Sequence, residues 1–191
     1  MNNKIYLFKD REDYIKELTK DNIVNVTGEK GSGKSYLGIS KEKDSIVVHL
    51  DPVFTPEASE DSEYSKEIRE YLIDKYGEIT DTEFSKYYKD IIKYLNKYDK
   101  TIYIEGGSIA EVEDLSILKG TVIVKRTGVF KCFIRVIRRD YHNKYFMDIE
   151  KKNHKYFYKI VRLHKVIKRR KKIFKSYHLI EDYIKKLDNY N

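Results

Sequence analysis

The segment NIVNVTGEKGSGKSYLGISKEK, residues 22–43, decides the fold. Asn22 to Thr27 is a β-branched run of strand length that stops at a glycine. The next eight residues, Gly28-Glu29-Lys30-Gly31-Ser32-Gly33-Lys34-Ser35, satisfy the pattern G-x-x-x-x-G-K-[ST] in full, and SYLGISKEK reads as a helix start. Glycines let the backbone fold back so that successive N–H groups converge. The helix that follows adds its positive end. A strand, a loop and a helix in this order predict a cradle for a polyphosphate. An incidental glycine-rich turn is the competing reading, and the matching strand and helix on either side argue against it.

The loop chemistry names its ligand class. Lys34 reaches the β and γ phosphates, and the Ser35 hydroxyl is suited to Mg²⁺, an ion that keeps most of its waters and is held through phosphate oxygens and one or two protein groups. The implied cofactors are ATP, with GTP as an equal alternative, and Mg²⁺. The candidate cofactor site comprises Gly28, Glu29, Lys30, Gly31, Ser32, Gly33, Lys34, Ser35 and Tyr36.

Outward from the loop, Ser45 to Leu50 is a second apolar run, which makes a βαβ unit with parallel strands covered on both faces. Lys4 to Phe8 reads as a short leading strand and Asp10 to Leu18 as a helix capped by Asp10. From Asp61 to Tyr98 apolar residues recur at three and four, which predicts two amphipathic helices broken near Gly77. Thr101 to Ile104 and Thr121 to Val124 are two further strands joined by AEVEDLSIL, a small helix. From Val129 to Leu187 the pattern is helical, with Asn143 and Asn153 as candidate boundaries. The expectation is an α/β chain, one domain over residues 1–191, with a mostly parallel sheet of about five strands and a basic helical lid and C-terminal segment over 129–180.

Composition narrows the function classes. Forty per cent hydrophobic residues among 191 support one packed core despite a mean hydropathy of -0.68. The single cysteine, Cys132, leaves neither an internal disulfide nor a thiolate cluster for zinc, and the five histidines form no H-E-x-x-H pattern. No apolar run approaches the roughly 20 residues that span a bilayer, and MNNKIYLFKDRED has no apolar signal core, so no membrane span and a cytoplasmic location are expected.

Further candidates cluster at the strand ends. Asp51 follows the second strand and in a parallel sheet lies at the loop's edge, where a carboxylate accepts a proton or binds a hydroxyl. A turn-forming Asp before Pro52 is the alternative. Glu105 closes TIYIE ahead of Gly106 and Gly107, and competes with a plain surface acid at a strand end. Arg135, Arg138 and Arg139 recur at three and four, a spacing that can clamp phosphoryl oxygens; an amphipathic helix with Phe133, Val136 and Ile137 inward is the alternative. Arg126, after the strand TVIVK, is a weaker candidate.

The phosphate loop, His49-Leu50-Asp51, the strand ending Glu105-Gly106, and C-x-x-R-x-x-x-R from Cys132 to Arg139 together resemble the small adenylate-kinase-related P-loop kinases. The likeness runs from about Ile23 to Tyr145 and is nearest to those labelled DNA topology modulation proteins. PVFTPEASED stands where that group has a Trp-containing stretch, and KRTG where it has an acid and a proline. The resemblance implies a three-layer P-loop NTPase fold and transfer of the γ-phosphoryl of Mg-ATP to a small acceptor, or an ATPase. It implies that Glu105 orients magnesium alongside Ser35, and that Arg135, Arg138 and Arg139 sit on a lid that neutralises charge during transfer. Lys34, Asp51, Glu105 and the three arginines are then the candidate catalytic residues.

Charge supports a second reading. Residues 1–150 carry 25 basic and 28 acidic side chains, whereas residues 151–191 carry 14 basic and 3 acidic. Segment 151–175 holds 12 basic residues and no acid, interleaved with Tyr156, Phe157, Tyr158 and Phe174. Such a segment binds single-stranded nucleic acid by phosphate neutralisation and stacking, which makes the chain a nucleotide-controlled nucleic-acid-binding ATPase or a polynucleotide 5′-hydroxyl kinase. The alternative is that Ile160, Val161, Leu163, Ile167, Ile173 and Phe174 recur as a helix face that packs on the sheet.

Overall fold

Short β-branched runs build the sheet: Ile5–Phe8 (β1), Ile23–Gly28 (β2), Ser45–His49 (β3), Thr101–Glu105 (β4) and Thr121–Lys125 (β5). The computed structural model describes residues 5–8, 22–35, 45–55, 62–142 and 155–190, with the backbone alone at 5–8, 139–142, 155–165 and 190. β5, β2, β4 and β3 lie side by side in that order, all parallel, and β1 runs parallel beside β5. The chain is thus α/β with a parallel sheet. Helix Asp10 to Leu18 and most of the helix after the loop fall outside the described residues.

Parallel strands bury both faces, so they read as near-continuous apolar runs. On one face Ile46, Val48, Ile102, Ile104, Val122 and Val124 enter the main core; on the other Val24, Val26, Val47, Tyr103 and Ile123 are buried as well. Asn25 belongs to the first face and is fully buried. Its amide donates to the Lys119 carbonyl at 2.8 Å and accepts the Tyr88 hydroxyl at 3.0 Å, while Lys119 N donates to Tyr88 Oη at 3.0 Å. The polar side chain is tolerated because the network satisfies it.

Helices Leu50–Phe54 (α1), Glu63–Tyr76 (α2) and Phe84–Leu95 (α3) follow β3. Leu50 opens α1 instead of extending the strand, because Pro52 in the first turn fits a helix start and has no N–H for a ladder. The Ser62 hydroxyl caps α2 by accepting Ser65 N–H at 3.1 Å, and Gly77 ends it at φ 76°. The two helices expected between Asp61 and Tyr98 are therefore present. On α3 the stripe Phe84, Tyr87, Tyr88, Ile91, Ile92 and Leu95 is buried. AEVEDLSIL forms two 3₁₀ turns, Ser108–Glu111 and Leu115–Ile117, instead of one helix. Asp114 interrupts it by accepting the Ser116 N–H at 2.9 Å, which starts a new turn.

Val129–His142 (α4) and Lys155–Tyr190 (α5) form the C-terminal region; the boundaries expected at Asn143 and Asn153 lie outside the described residues. Ile180, Tyr183 and Leu187 anchor the end of α5 in the main core, and Ile173 packs with Cys132 and Val136 of α4 in a smaller cluster. Phe174 and Ile167, expected on the packed face, are exposed. No described helix is long and apolar enough to cross a membrane.

Candidate phosphate-binding site

β2 delivers the loop at the carboxyl end of the sheet, and Ser35 is the first helical residue after it. Gly31 and Gly33 take φ of 86° and 91°, conformations an L side chain rarely adopts. Gly31 has no room either: a Cβ would lie 2.8 Å from both Cys132 O and Val136 Cγ2 of α4. Ser32 N donates to Glu29 O at 2.9 Å and closes the tight turn.

The loop is held from behind. Ser32 O accepts Arg135 Nη1 at 2.9 Å and Thr127 Oγ1 at 3.1 Å. In a trans peptide the carbonyl and the next amide point in opposite directions, so holding Ser32 O against α4 turns the Gly33 N–H to the other side. Glu29 is fully buried; Arg126 Nε lies 2.9 Å from its Oε1 and Thr127 N donates to its Oε2 at 3.0 Å. Burial pushes the Glu29 carboxyl up, against the opposing pull of backbone N–H groups and of Arg126 and Lys34. Lys30 N donates to Ser176 Oγ of α5 at 3.0 Å.

In front of the loop, Lys34 Nζ lies 3.5 Å from Glu105 Oε1, and His49 Nδ1 lies 2.8 Å from Glu105 Oε2. Sheet order creates this group: Glu105 on β4 pairs in register with Val26 of β2 and with His49 of β3. His49 N donates to Ser65 Oγ at 2.9 Å, which ties the strand end to α2. Ser35 contributes a further side-chain hydrogen bond to Glu105. Burial pushes the Glu105 carboxyl up, but the charge of Lys34 and the hydrogen bonds of His49 and Ser35 outweigh it and hold the group below the ordinary carboxylate value.

The sequence candidates divide accordingly. Lys34, Ser35 and Glu105 come together, with Glu105 buried, not a surface acid. Glu29 faces the rear of the loop as a structural anchor, and Arg135 directs its guanidinium to loop carbonyls. Asp51 sits in the first turn of α1 and is exposed. Arg138, like Arg135, is exposed on α4; the Arg139 side chain and Tyr36 lie outside the described residues. Arg126, the weaker candidate, pairs with Glu29 behind the loop. Sequence reasoning did not assign roles to His49, Thr127 or Ser176. For His49 the available signal was a polar residue closing an apolar strand at the same sheet edge as Glu105.

No protein-family model matches this sequence, and no curated protein matches it. The residues themselves suit a polyphosphate with a divalent ion. Ser32 Oγ is buried in the loop with no hydrogen-bond partner among the described residues, Gly33 N–H is turned to the front, and Lys34, Ser35 and Glu105 stand together there. Among the described residues no three His, Cys, Asp or Glu cluster to hold a metal ion.

Proposed function

We propose that the chain is an ATP-dependent phosphotransferase, a P-loop enzyme of the small adenylate-kinase-like kinase group. On this reading it transfers the γ-phosphoryl of Mg-ATP to a hydroxyl or phosphate acceptor. The observation that carries the reading is the Lys34–Glu105 approach of 3.5 Å at the mouth of a glycine loop whose carbonyls are anchored from behind. Bound Mg-ATP supplies the electrophilic phosphorus and the charge-neutralising ion. Lys34 would bind the terminal phosphates, the Gly33 amide would orient them, and Ser35 and Glu105 would hold the ion.

Glu105 is a poor proton acceptor, since His49 and Lys34 engage its two oxygens and its basicity is held low. The exposed Asp51 carboxylate, two residues beyond His49 in the first turn of α1, would then take the acceptor's proton while the γ-phosphoryl passes from the β–γ bridge oxygen to the acceptor. Calorimetry with Mg-ATP and Mg-GTP, followed by coupled ADP or GDP release across nucleosides, nucleotides and 5′-hydroxyl oligonucleotides, tests the reading. Saturable nucleotide binding that disappears in Lys34→Ala, with acceptor-dependent turnover lost in Asp51→Asn, is expected. Binding without any acceptor-dependent product would reject the transferase.

A further inference from the structure

Between Ile167 and Lys175, α5 presents Lys168, Arg170, Lys171, Lys172 and Lys175 to solvent. Two large apolar side chains stand exposed among them, Ile167 at 46% and Phe174 at 41%, and the Arg170 guanidinium lies 5.5 Å over the Phe174 ring. The helix's other face is already used, since Ile173 is buried against Cys132 and Val136. Basic groups spaced along a helix with an exposed aromatic among them suit a flexible polyanion with stackable bases. A membrane-surface helix instead needs a broad apolar face, and here that face is spent on α4.

The same stretch is strapped to the phosphate loop at two points. Ser176, next to Lys175, accepts the Lys30 N–H at 3.0 Å. Arg126, paired with Glu29 behind the loop, reaches Glu181 at 3.8 Å and lies 5.0 Å over the Tyr177 ring. Occupancy of the loop and the seating of α5 therefore share residues.

We propose that the exposed basic face of α5 from Ile167 to Lys175 docks single-stranded nucleic acid, and that strand affinity is linked to triphosphate-site occupancy through the Lys30–Ser176 strap. The docking stands apart from the phosphotransferase reading; the linkage rests on nucleotide binding at the loop. By thermodynamic reciprocity, each ligand then changes the other's affinity by the same factor.

Fluorescence anisotropy of the full chain with labelled single-stranded DNA and RNA of mixed sequence, titrated over a salt series with and without Mg-ADP, tests both parts. Expected are strand binding that weakens steeply with salt, a loss of about fivefold or more in Phe174→Ala, and a shallower salt dependence in Lys171→Gln/Lys172→Gln. Phe174 is solvent-facing, so circular dichroism should show an intact fold. Mg-ADP should shift strand affinity about fivefold or more in the wild type and by a clearly smaller factor in Ser176→Ala. Absence of strand binding at low salt, wild-type affinity in Phe174→Ala, or preference for vesicles of equal phosphatidylglycerol and phosphatidylcholine would overturn the docking. Strand affinity indifferent to Mg-ADP, in protein that calorimetry shows to bind it, would overturn the linkage. If calorimetry finds no Mg-ADP binding while strands still dock, the nucleotide reading and the linkage fall and the docking stands.

Discussion

Arg135 Nη1 donates to the carbonyl oxygen of Ser32 at 2.9 Å, so a side chain of α4 sets the orientation of a peptide in a loop 103 residues earlier. The bond joins two elements that the chain keeps far apart. It also gives the arginine a part in shaping the loop.

Replacing Arg135 with Ala should weaken Mg-nucleotide binding about fivefold to twentyfold, the effect of losing roughly 1–2 kcal/mol of orientation. Stability should change little, because the side chain is exposed and Thr127 still holds Ser32 O at 3.1 Å. Calorimetric titration beside a melting curve separates the two effects. Equal nucleotide affinity in mutant and wild type would show that the contact does not order the loop.

Gly31→Ala should be costlier. A Cβ at φ 86° and 2.8 Å from Cys132 O demands both strained backbone and displacement of α4, together on the order of 2–4 kcal/mol. The melting temperature should fall and nucleotide binding should be lost with it. A melting temperature within a degree or so of wild type, by calorimetry, would contradict the packing of α4 against the loop.

Tyr88→Phe removes one hydroxyl that both donates to Asn25 and accepts from Lys119. Buried Asn25 and the part-buried Lys119 N–H each lose a bond, so about 1–3 kcal/mol of unfolding free energy should be lost in urea titration. The double replacement Asn25→Val with Tyr88→Phe should cost less than the sum of the single changes, because each removes the reason for the other.

Asp90 supplies a pH test. The side-chain hydrogen bond from Lys75 (Nζ–Oδ1 2.8 Å), then that of the Tyr76 hydroxyl, holds its carboxyl below the ordinary value of 3.8. A carboxyl depressed in the folded state binds fewer protons than in the unfolded chain, so its stabilisation is present above that ordinary value. It disappears as pH falls through the native value. Asp90→Asn should therefore lower the melting temperature near about pH 7 and make little difference near about pH 2. A gap that persists in acid would mean that the variant acts through packing.

How much of this was legible beforehand varies by element. The loop motif with its preceding strand, the α3 stripe and the break at Gly77 were readable because each is a pattern within a few residues. Leu50 was misread because apolarity does not distinguish the last residue of a strand from the first of a helix. The 3₁₀ turns at Ser108–Glu111 and Leu115–Ile117 were merged for lack of a local period long enough to separate them.

By itself the sequence determined the local grammar: where the chain turns back on glycine, which runs extend, which faces of helices are apolar, and that positive charge gathers after residue 150. Tertiary structure alone decided that β4 lies between β2 and β3, which brings Glu105 to Lys34 and His49, and that Arg126 and Arg135 turn back to support the loop. The reason is physical. Local patterns follow from backbone geometry and the spacing of buried side chains, whereas strand order and ion pairing depend on which distant surfaces meet when the whole core closes.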